Sequence, residues 1–235
     1  MNLSNFHSKQ LLIDLFRRTL LLNFQLLSKY YPFYLQGIGI TLLLSFLTII
    51  FGTLLGLFIS IMKISKYKIL RTIASIYVEV IRSTPLLVQL IIIHYGFKIN
   101  LTEITSATLA LSINSAAYIA EIIRAGILSV NKGQMEAARS LGMNHSQSMK
   151  LIIIPQAIKN ILPALANEFV VLIKESAIVS YIGLADIMYK ANQIRSLTYL
   201  TLEPLLVAAA IYFVITFTIS KLIQYFERKL NKDND

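Results

Sequence analysis

Apolar residues along the chain fall into five long runs that are separated by short polar segments. The runs cover residues 35–62, 70–97, 104–123, 161–182 and 205–226. A helix needs about 20 predominantly apolar residues to cross the hydrocarbon core of a bilayer, and each run reaches that length. Charged residues make the second and fourth runs the weaker ones. The pattern predicts an all-α membrane protein with about five transmembrane helices.

A shorter apolar stretch, residues 11–27, precedes these runs and is polar on one side. It contains Asp14, Arg17 and Arg18, and each arginine at the bilayer centre costs about 2.5 kcal/mol or more. The stretch therefore predicts an amphipathic helix that lies in the membrane interface rather than across it. The same charges interrupt the apolar core that a cleaved signal peptide requires. We expect an N-terminal amphipathic segment over residues 1–32, a transmembrane domain over 33–230 and a polar tail over 231–235.

Composition and charge agree with a membrane location. Hydrophobic residues make up 56% of the chain and charged residues 14%, whereas soluble proteins carry about 25% charged residues. The mean hydropathy is +0.66. A net charge of +10 would suggest a nucleic-acid partner for a soluble protein, but here the basic residues lie between apolar runs. They are better explained as topology signals beside anionic lipid headgroups, with no nucleic acid.

Two residue types limit the possible chemistry. The chain has no cysteine, which excludes a disulfide framework, a thiolate metal site and a cysteine nucleophile. Its three histidines, His7, His94 and His145, are far apart in the sequence and have no partner at metal-ligand spacing. We therefore expect no metal site.

The distribution of basic residues predicts the orientation in the membrane. With five spans, the segments 63–71, 124–159 and 221–232 lie on one side and carry thirteen Lys and Arg, against eight for the opposite side. The positive-inside rule assigns the more basic side to the cytoplasm. The N-terminus, including His7, is then expected outside and the C-terminus inside.

The segment 134–156, QMEAARSLGMNHSQSMKLIIIPQ, is then a cytoplasmic loop with the pattern of two short helices that meet at a corner. Asn131 can cap the first helix, Gly142 suits the left-handed residue that ends it, and Asn144 or Ser146 can start the second. Ala137 and Ala138 predict a narrow face that another protein could approach closely, beside Glu136 and Arg139. An ordinary amphipathic connector explains the same pattern.

The same residues resemble the EAA loop of ABC importer permeases. The match consists of Glu136-Ala137-Ala138, three residues, Gly142, nine residues, Ile152, one residue, Ile154 and Pro155. Ile154 is the one departure, since the family usually has leucine there. We place the coupling loop at residues 131–160.

Three further segments resemble permeases for polar amino acids, and the likeness covers about residues 33–230. They are RSTPLLVQ at 82–89, AAYIAEIIR at 116–124, and Asn167-Glu168-Phe169 followed by Lys174-Glu175-Ser176-Ala177. The family usually has an acidic residue, Thr or Ser, Ser and Leu after the lysine, where this chain has Glu175-Ser-Ala-Ile178, so the local hydroxyl pattern differs.

The resemblance implies a multi-pass permease subunit of an ATP-driven importer in a bacterial plasma (inner) membrane. Two such subunits, identical or merely similar, would form a central pathway for an amino acid that an extracytoplasmic binding protein delivers. Two ATP-binding cassette ATPase subunits would dock on the loop, with the coupling residues Glu136, Ala137, Ala138, Arg139, Gly142 and Pro155. The chain lacks a G-x-x-x-x-G-K-[ST] phosphate loop. We therefore expect no enzymatic activity and no cofactor in this chain, and ATP with Mg on the partner ATPase.

Polar residues inside the apolar runs are candidates for the transport pathway, because such groups are costly in a membrane and usually functional. The candidates are Asn114, Tyr118, Asn167, Glu168, Lys174 and Glu175. Lys174 follows Pro163 by eleven residues, or about 16 Å of helix, which predicts a position near the bilayer midplane. A charge network that only locks the helices together explains Lys174 equally well.

Other polar and small residues have structural interpretations. Glu121 is expected to pair with Arg124 at the cytoplasmic mouth, and Glu79 and Arg82 are spaced to pair on a helix. Pro85 predicts a bend at the entrance of the second span. A ribbon of small residues every four positions in the first run predicts close helix packing: Thr48, Gly52, Gly56 and Ser60.

Two other classes of protein are also considered. A secondary transporter or channel for a small polar solute would share the composition, but it would usually show inverted repeats, and the sequence has no convincing repeat. A membrane enzyme would need a catalytic constellation, which is not evident. Copurification with a soluble ATPase would separate these classes. The sequence leaves the substrate open among polar amino acids such as glutamine, glutamate, arginine, histidine and cystine.

Overall fold

The computed structural model describes residues 25–96 and 101–232, and these residues form a helical bundle. The α-helices are α1 (Gln25–Ile64), α2 (Lys68–Ser83), α3 (Leu86–Tyr95), α4 (Glu103–Leu128), α5 (Lys132–Ser140), α6 (His145–Ser148), α7 (Ile154–Glu175), α8 (Ile187–Thr198) and α9 (Glu203–Lys232). A π-helix, Met149–Ile153, joins α6 to α7, and a 3₁₀ helix, Ser176–Ile182, follows α7. The all-α prediction is confirmed. Most of the N-terminal amphipathic segment predicted for residues 11–27 lies outside the described residues.

Three helices in the described part of the chain are long and apolar enough to cross a membrane: Ser28–Ile64, Glu103–Leu128 and Glu203–Lys229. They correspond to the first, third and fifth predicted spans. The pair α2 and α3 reaches the same standard together and corresponds to the second. The fourth predicted span corresponds to α7 and the 3₁₀ helix, which are more polar than the other spans. The predicted order of elements is thus recovered, although α7 is not apolar enough to count as a span by composition alone.

The second predicted span is not a continuous helix. Its two halves, α2 and α3, meet at an angle of 102°. Thr84 and Pro85 between them adopt extended backbone conformations, as expected for proline and the residue that precedes it. The bend predicted from Pro85 is therefore confirmed. It divides the segment almost in the middle rather than at its entrance.

The helix α4 lies at the centre of the bundle. Small residues on several of its faces are fully buried, which lets neighbouring helix backbones approach closely. A Cβ atom added to Gly56 on α1 would lie 2.8 Å from Ile119 Cγ2 on α4, and Gly52 lies against Ser115. Thr48 and Ser60 are also fully buried. The predicted small-residue ribbon of α1 thus forms its contact with α4.

The connection after the 3₁₀ helix contains a helix that the apolar pattern did not predict. Asp186 begins α8, and its Oδ1 atom accepts a hydrogen bond of 2.8 Å from the backbone N–H of Tyr189. Ile187, Ala191 and Ile194 pack with Tyr34 of α1. The short α8 is amphipathic, so it lacks the long apolar run that identifies a membrane span. It closes the end of the bundle opposite the α5–α6 hairpin, here named the distal end.

Candidate functional site

The α5–α6 hairpin, residues 132–153 including the π-helix, is defined by local hydrogen bonds. The side chain of Asn131 accepts a hydrogen bond from the N–H of Gly133, 2.8 Å away. Gly142 has φ +87°, and the N–H of Met143 reaches back to the carbonyl of Ala138. Asn144 and Gln147 form a reciprocal capping box with two bonds of 2.9 Å. The predicted corner and both predicted caps are therefore present, with Asn144 as the second cap.

The outward surface of the hairpin differs in one respect from the predicted alanine face. Glu136, Ala137 and Arg139 are exposed, whereas Ala138 is only 4% exposed and belongs to the inner side of the hairpin. Ala138 therefore supports the corner and is not available to another protein. The apolar residue that stands out is Leu141, which is 85% exposed. Its position at the helix end beside the glycine was visible in the sequence, but an exposed leucine has no sequence signature.

The hairpin joins α7 through the π-helix rather than through a regular α-helical turn. The N–H of Ile154 bonds to the carbonyl of Met149, five residues earlier. Pro155 follows at the start of α7. Proline has no N–H and its ring clashes with the carbonyl four residues before it, and the wider turn avoids this contact. Pro155 thus fixes how the hairpin meets α7.

Three polar residues one helical turn apart on α4, Asn114, Tyr118 and Glu121, form the polar stripe of this helix, and each makes a different contact. Asn114 is buried and its Nδ2 donates to Gln89 Oε1 on α3 at 3.0 Å. Gln89 Nε2 in turn donates to the carbonyl of Ile81, 2.8 Å away, and to Thr84 Oγ1, 2.7 Å away. Because Pro85 interrupts the helix, the Ile81 carbonyl lacks its usual helical partner. The pair Asn114 and Gln89 therefore stabilises the bend between α2 and α3.

Further along the stripe, Tyr118 and Glu121 face a polar cleft between α1, α2 and α4. The guanidinium carbon of Arg82 lies 5.1 Å from the centre of the Tyr118 ring. Glu121 pairs with Lys63 at the end of α1 and with Arg124 at 2.8 Å, which confirms the predicted contact with Arg124. The cleft has a volume of about 440 Å³. It lies toward the hairpin, and we name it the proximal cleft.

The predicted residues of α7 separate into buried and exposed groups. Glu168 is 8% exposed, and its Oε1 accepts a hydrogen bond of 2.9 Å from Ser115 of α4. Asn167 and Lys174 share an exposed face. No ion pair joins Lys174 to a carboxylate within the described ranges. Since α7 begins at Ile154, Lys174 lies about 30 Å along the helix from its start. Its position near the bilayer midplane, estimated from Pro163, stays a prediction.

Lys174 and Glu175 line a second polar cleft at the distal end, here named the distal cleft. Its volume is about 660 Å³, and Asn192 and Arg195 of α8 complete its charged and amide lining. Arg195 donates to Asn192 Oδ1 at 3.0 Å. The sequence did not place α8 beside α7, because nothing local indicates which helices meet across the bundle.

Three of the six pathway candidates thus border the two clefts, one lies on an exposed helix face, and the other two contribute to helix contacts. Tyr118 borders the proximal cleft and Lys174 and Glu175 the distal one, while Asn167 lies on the exposed face of α7 that Lys174 shares. Asn114 and Glu168 are buried and bind other helices. Among the described residues, no group of three or more His, Asp or Glu side chains is placed to hold a metal ion.

Comparisons with known proteins give consistent results. The family described as binding-protein-dependent transport system inner membrane component matches residues 49–232. The arginine transport system permease protein ArtQ of Bacillus subtilis is 45% identical over 208 residues, covering 87% of this chain and 94% of that protein. A putative glutamine transport system permease protein GlnP of Rickettsia conorii is 41% identical over 214 residues, covering 88% and 98%.

Solved structures show the same fold. A crystal structure of an amino acid ABC transporter with histidines has a chain 55% identical in sequence, with a TM-score of 0.85, covering 88% of this chain and 98% of that one. An inward-facing structure of the MetNI methionine ABC transporter is 21% identical with a TM-score of 0.66, covering 85% and 95%, and supports the fold alone.

Proposed function

Since the chain belongs to the inner membrane components of binding-protein-dependent transport systems and is a permease of an amino acid ABC importer, we propose how its parts divide the work. The hairpin receives the movement of partner ATPases, and the helices between the two clefts open a path for the amino acid. The observation that carries this proposal is the hairpin itself, with its left-handed corner at Gly142 and its exposed apolar tip.

The hairpin is proposed to dock in a groove of a partner ATPase subunit. Glu136, Ala137, Arg139 and Leu141 form its outward surface, and Gly142 and Pro155 fix its shape at either end. An exposed leucine at the tip of a hairpin can enter a pocket of a partner, and a few such buried anchors supply most of the binding energy of a protein contact. Leu141 is therefore the expected anchor, and Ala138 acts only by packing beneath it.

The test of this docking is the substitution Leu141→Ser in the assembled importer. We expect ATP hydrolysis that depends on the binding protein and substrate to fall about tenfold or more, because loss of a buried leucine contact costs about 1.5–3 kcal/mol. Leu197→Ser is the matched control, since Leu197 is also largely exposed but lies on α8 at the distal end. Equal hydrolysis in Leu141→Ser and wild-type complexes would contradict the docking.

The remaining partners follow from the family and from the exposed polar face of α7. Two ATP-binding cassette ATPase subunits, which carry ATP and Mg, and an extracytoplasmic binding protein complete the importer. A second permease subunit, identical or similar, is proposed to face Asn167 and Lys174. These side chains are exposed, and an ammonium group is too costly to leave in contact with lipid tails.

The amino acid is proposed to move from the distal cleft toward the proximal cleft along α4 and α7. Lys174 and Glu175 present opposite charges in the distal cleft, and Tyr118 borders the proximal one. Asn114, Asn167 and Glu168 shape or border the path between them. Two relatives are named for arginine and glutamine, and a polar amino acid of this kind is the proposed substrate. Competition among labelled amino acids for uptake would identify it.

The proposed location is a bacterial plasma (inner) membrane, with the hairpin and the C-terminus in the cytoplasm and the N-terminus outside. The basic residues of segments 63–71, 124–159 and 221–232 support this orientation through the positive-inside rule. The chain has no cysteine, so single cysteines can report it. An impermeant thiol reagent added to intact cells should label Ser196→Cys and not His145→Cys, and the reverse result would invert the orientation.

A further inference from the structure

The proximal cleft contains more charge than the helix contacts around it require. Two basic and two acidic residues line it: Lys63, Arg82, Glu79 and Glu121. Lys63 and Glu121 neutralise one another, and Arg124 adds a second bond to the Glu121 carboxylate. The charge of the Glu121 carboxylate is therefore neutralised within the protein. Glu79 and Arg82 are the other two charged residues of the cleft.

Glu79 and Arg82 are one helical turn apart on α2 and yet do not bind each other. Both side chains are exposed. Over residues 25–96 and 101–232, neither takes part in an ion pair within 4.0 Å, and the guanidinium of Arg82 rests on the Tyr118 ring instead. The pairing expected from their spacing is thus wrong for this structure. One carboxylate and one guanidinium are left facing the same small, polar space.

Opposite charges that face one polar cleft without pairing need another partner or water, because an isolated charge is costly to remove from water. Residues three apart on a helix have Cβ atoms about 5–6 Å apart, so both charges can reach a small molecule that carries a plus and a minus on one carbon. A cleft of about 440 Å³ lies within the usual range for small-ligand sites, about 300–1,000 Å³.

We propose that the proximal cleft is a binding site for a free amino acid, in which Arg82 binds the α-carboxylate and Glu79 the α-ammonium. The planar guanidinium suits bidentate binding of a carboxylate, and its stacking on Tyr118 holds it in place. The proposal rests on the proposed function. It adds a second site, on the hairpin side of the bend, where the amino acid is held before release.

This site would read the backbone of the amino acid and not its side chain. Both unpaired groups are assigned to charges that every free amino acid carries. In the rest of the lining, Lys63 and Glu121 neutralise one another, and the other residues are uncharged: Ser75, Val78, Ser83 and Tyr118. The distal cleft, with Lys174, Glu175 and Arg195, is therefore the better place for discrimination between side chains. Binding in the proximal cleft should tolerate different side chains but not loss of either backbone charge.

The experiment measures binding to the complete importer in lipid nanodiscs, without nucleotide and without binding protein. The probes are L-arginine and L-glutamine, the decarboxylated amine of each, and the Nα-acetyl form of each. The wild-type complex should bind both amino acids and lose about tenfold or more in affinity when either backbone charge is removed, as expected for a charge-assisted contact.

Two substitutions should erase this discrimination selectively. Arg82→Gln should bind the amino acid and its decarboxylated amine equally weakly while still rejecting the acetylated form. Glu79→Gln should show the opposite pattern. Arg71→Gln is the matched control, because Arg71 is an exposed arginine of α2 outside the cleft, and it should behave as the wild type.

Three results would overturn the site. Unchanged discrimination in Arg82→Gln and Glu79→Gln would show that the two residues do not contact the ligand. Loss of carboxylate discrimination in Lys174→Met instead would place the carboxylate in the distal cleft. Failure of both proximal variants to assemble with the second permease subunit would assign the pair to a subunit contact. Each of these results leaves ATP-driven uptake by the wild-type complex intact, whereas absence of that uptake would contradict the proposed function itself.

Discussion

At the scale of single residues, Gly142 has the most specific backbone requirement in the hairpin. Its φ of +87° is readily available to glycine and costs about 1–2 kcal/mol for other residues, more for β-branched ones. No other atom lies within 4 Å of a Cβ built there, so backbone strain and not crowding would oppose a substitution.

We predict that Gly142→Val uncouples the importer while the subunit still inserts in the membrane and assembles. The distorted corner should move the Leu141 side of the hairpin away from the ATPase groove, and uptake should fall about tenfold or more. Asn tolerates the left-handed region, so Gly142→Asn should retain most of the uptake. Uptake and ATP hydrolysis are measured together. Normal coupled uptake in Gly142→Val would show that the corner is not needed.

Asp186 is a second residue with an unusual environment, outside the membrane-spanning helices. It is fully buried, and Tyr212 donates to its Oδ2 at 3.1 Å. Burial raises the pKa of its carboxyl group from the ordinary 3.8 to about 6, although bonds from Tyr189 and Tyr212 act in the opposite direction. Between these two pKa values the folded protein binds a proton that the unfolded chain releases.

Folding stability should therefore decrease as the pH rises from about 4 through about 6, with a total change of about 3 kcal/mol for this group. The penalty is absent below the unfolded pKa and complete above the folded one. Asp186→Asn does not titrate, so we predict that the wild-type thermal midpoint falls relative to that of the variant as the pH rises from 5 to 7. A difference between the two midpoints that is constant with pH, or that changes in the other direction, would refute the assignment.

The residue-level predictions that succeeded were local ones. Asn131, Gly142 and Asn144 act on backbone groups within three residues of themselves, so the sequence contains both partners. The Glu121–Arg124 contact is local in the same way. The bonds of Glu168 to Ser115 and of Glu121 to Lys63 join residues more than fifty positions apart. Sequence patterns show that such residues are costly in a membrane and usually functional. They do not show which residues bind them.

At the scale of elements, the broken helix α2–α3 depends on side chains from a third helix. Pro85 accounts for the break, and the sequence revealed it. The amide of Gln89 occupies the carbonyl of Ile81, and Asn114 on α4 orients that amide. Asn114 thus helps to fix the bend, a contact that the sequence pattern of α4 did not specify.

We predict that Gln89 and Asn114 are energetically coupled. Gln89→Leu removes the partner of a carbonyl that has no helical bond and should destabilise the subunit by about 1–3 kcal/mol. Asn114→Leu alone should cost a similar amount, and the double variant clearly less than the sum of the two. Thermal unfolding of the assembled complex provides the three values. Strict additivity would mean that the two residues do not act together on the bend.

Element boundaries also show what composition can and cannot predict. The long apolar runs gave α1, α4 and α9 correctly, because a bilayer requires such runs of any helix that crosses it. The run that contains α7 was placed at 161–182, but α7 begins at Ile154, since the π-helix continues it into the hairpin. The helix α8 was missed because its stability comes from packing one face on α1 and α9.

At the scale of the whole molecule, the proximal cleft is lined by α1, α2 and α4, and the distal cleft by α3, α7, the 3₁₀ helix and α8. This arrangement fits a path that is open at one end at a time. Substitutions of Lys174 can test whether the distal cleft belongs to such a path. If Lys174 only neutralises a carboxylate, then Lys174→Met should destabilise the subunit, and adding Glu175→Gln should restore both folding and uptake.

We predict instead that the double variant Lys174→Met, Glu175→Gln assembles normally and still transports poorly, with uptake reduced about tenfold or more. The reason is that Lys174 forms no ion pair with a carboxylate in the described part of the chain and lines a cleft. Assembled complex and uptake are measured for the single and double variants. Full recovery of uptake in the double variant would leave Lys174 as a structural residue.

The chain is proposed to form the membrane path of an ATP-driven amino acid importer that is driven through its hairpin. The most direct measurement is uptake of labelled arginine and glutamine by proteoliposomes that contain the assembled complex. Uptake of at least one of them should require enclosed ATP and external binding protein together, and Leu141→Ser should abolish it without loss of assembly. Uptake by the wild type that continues without ATP, or that Leu141→Ser leaves unchanged, would contradict the account.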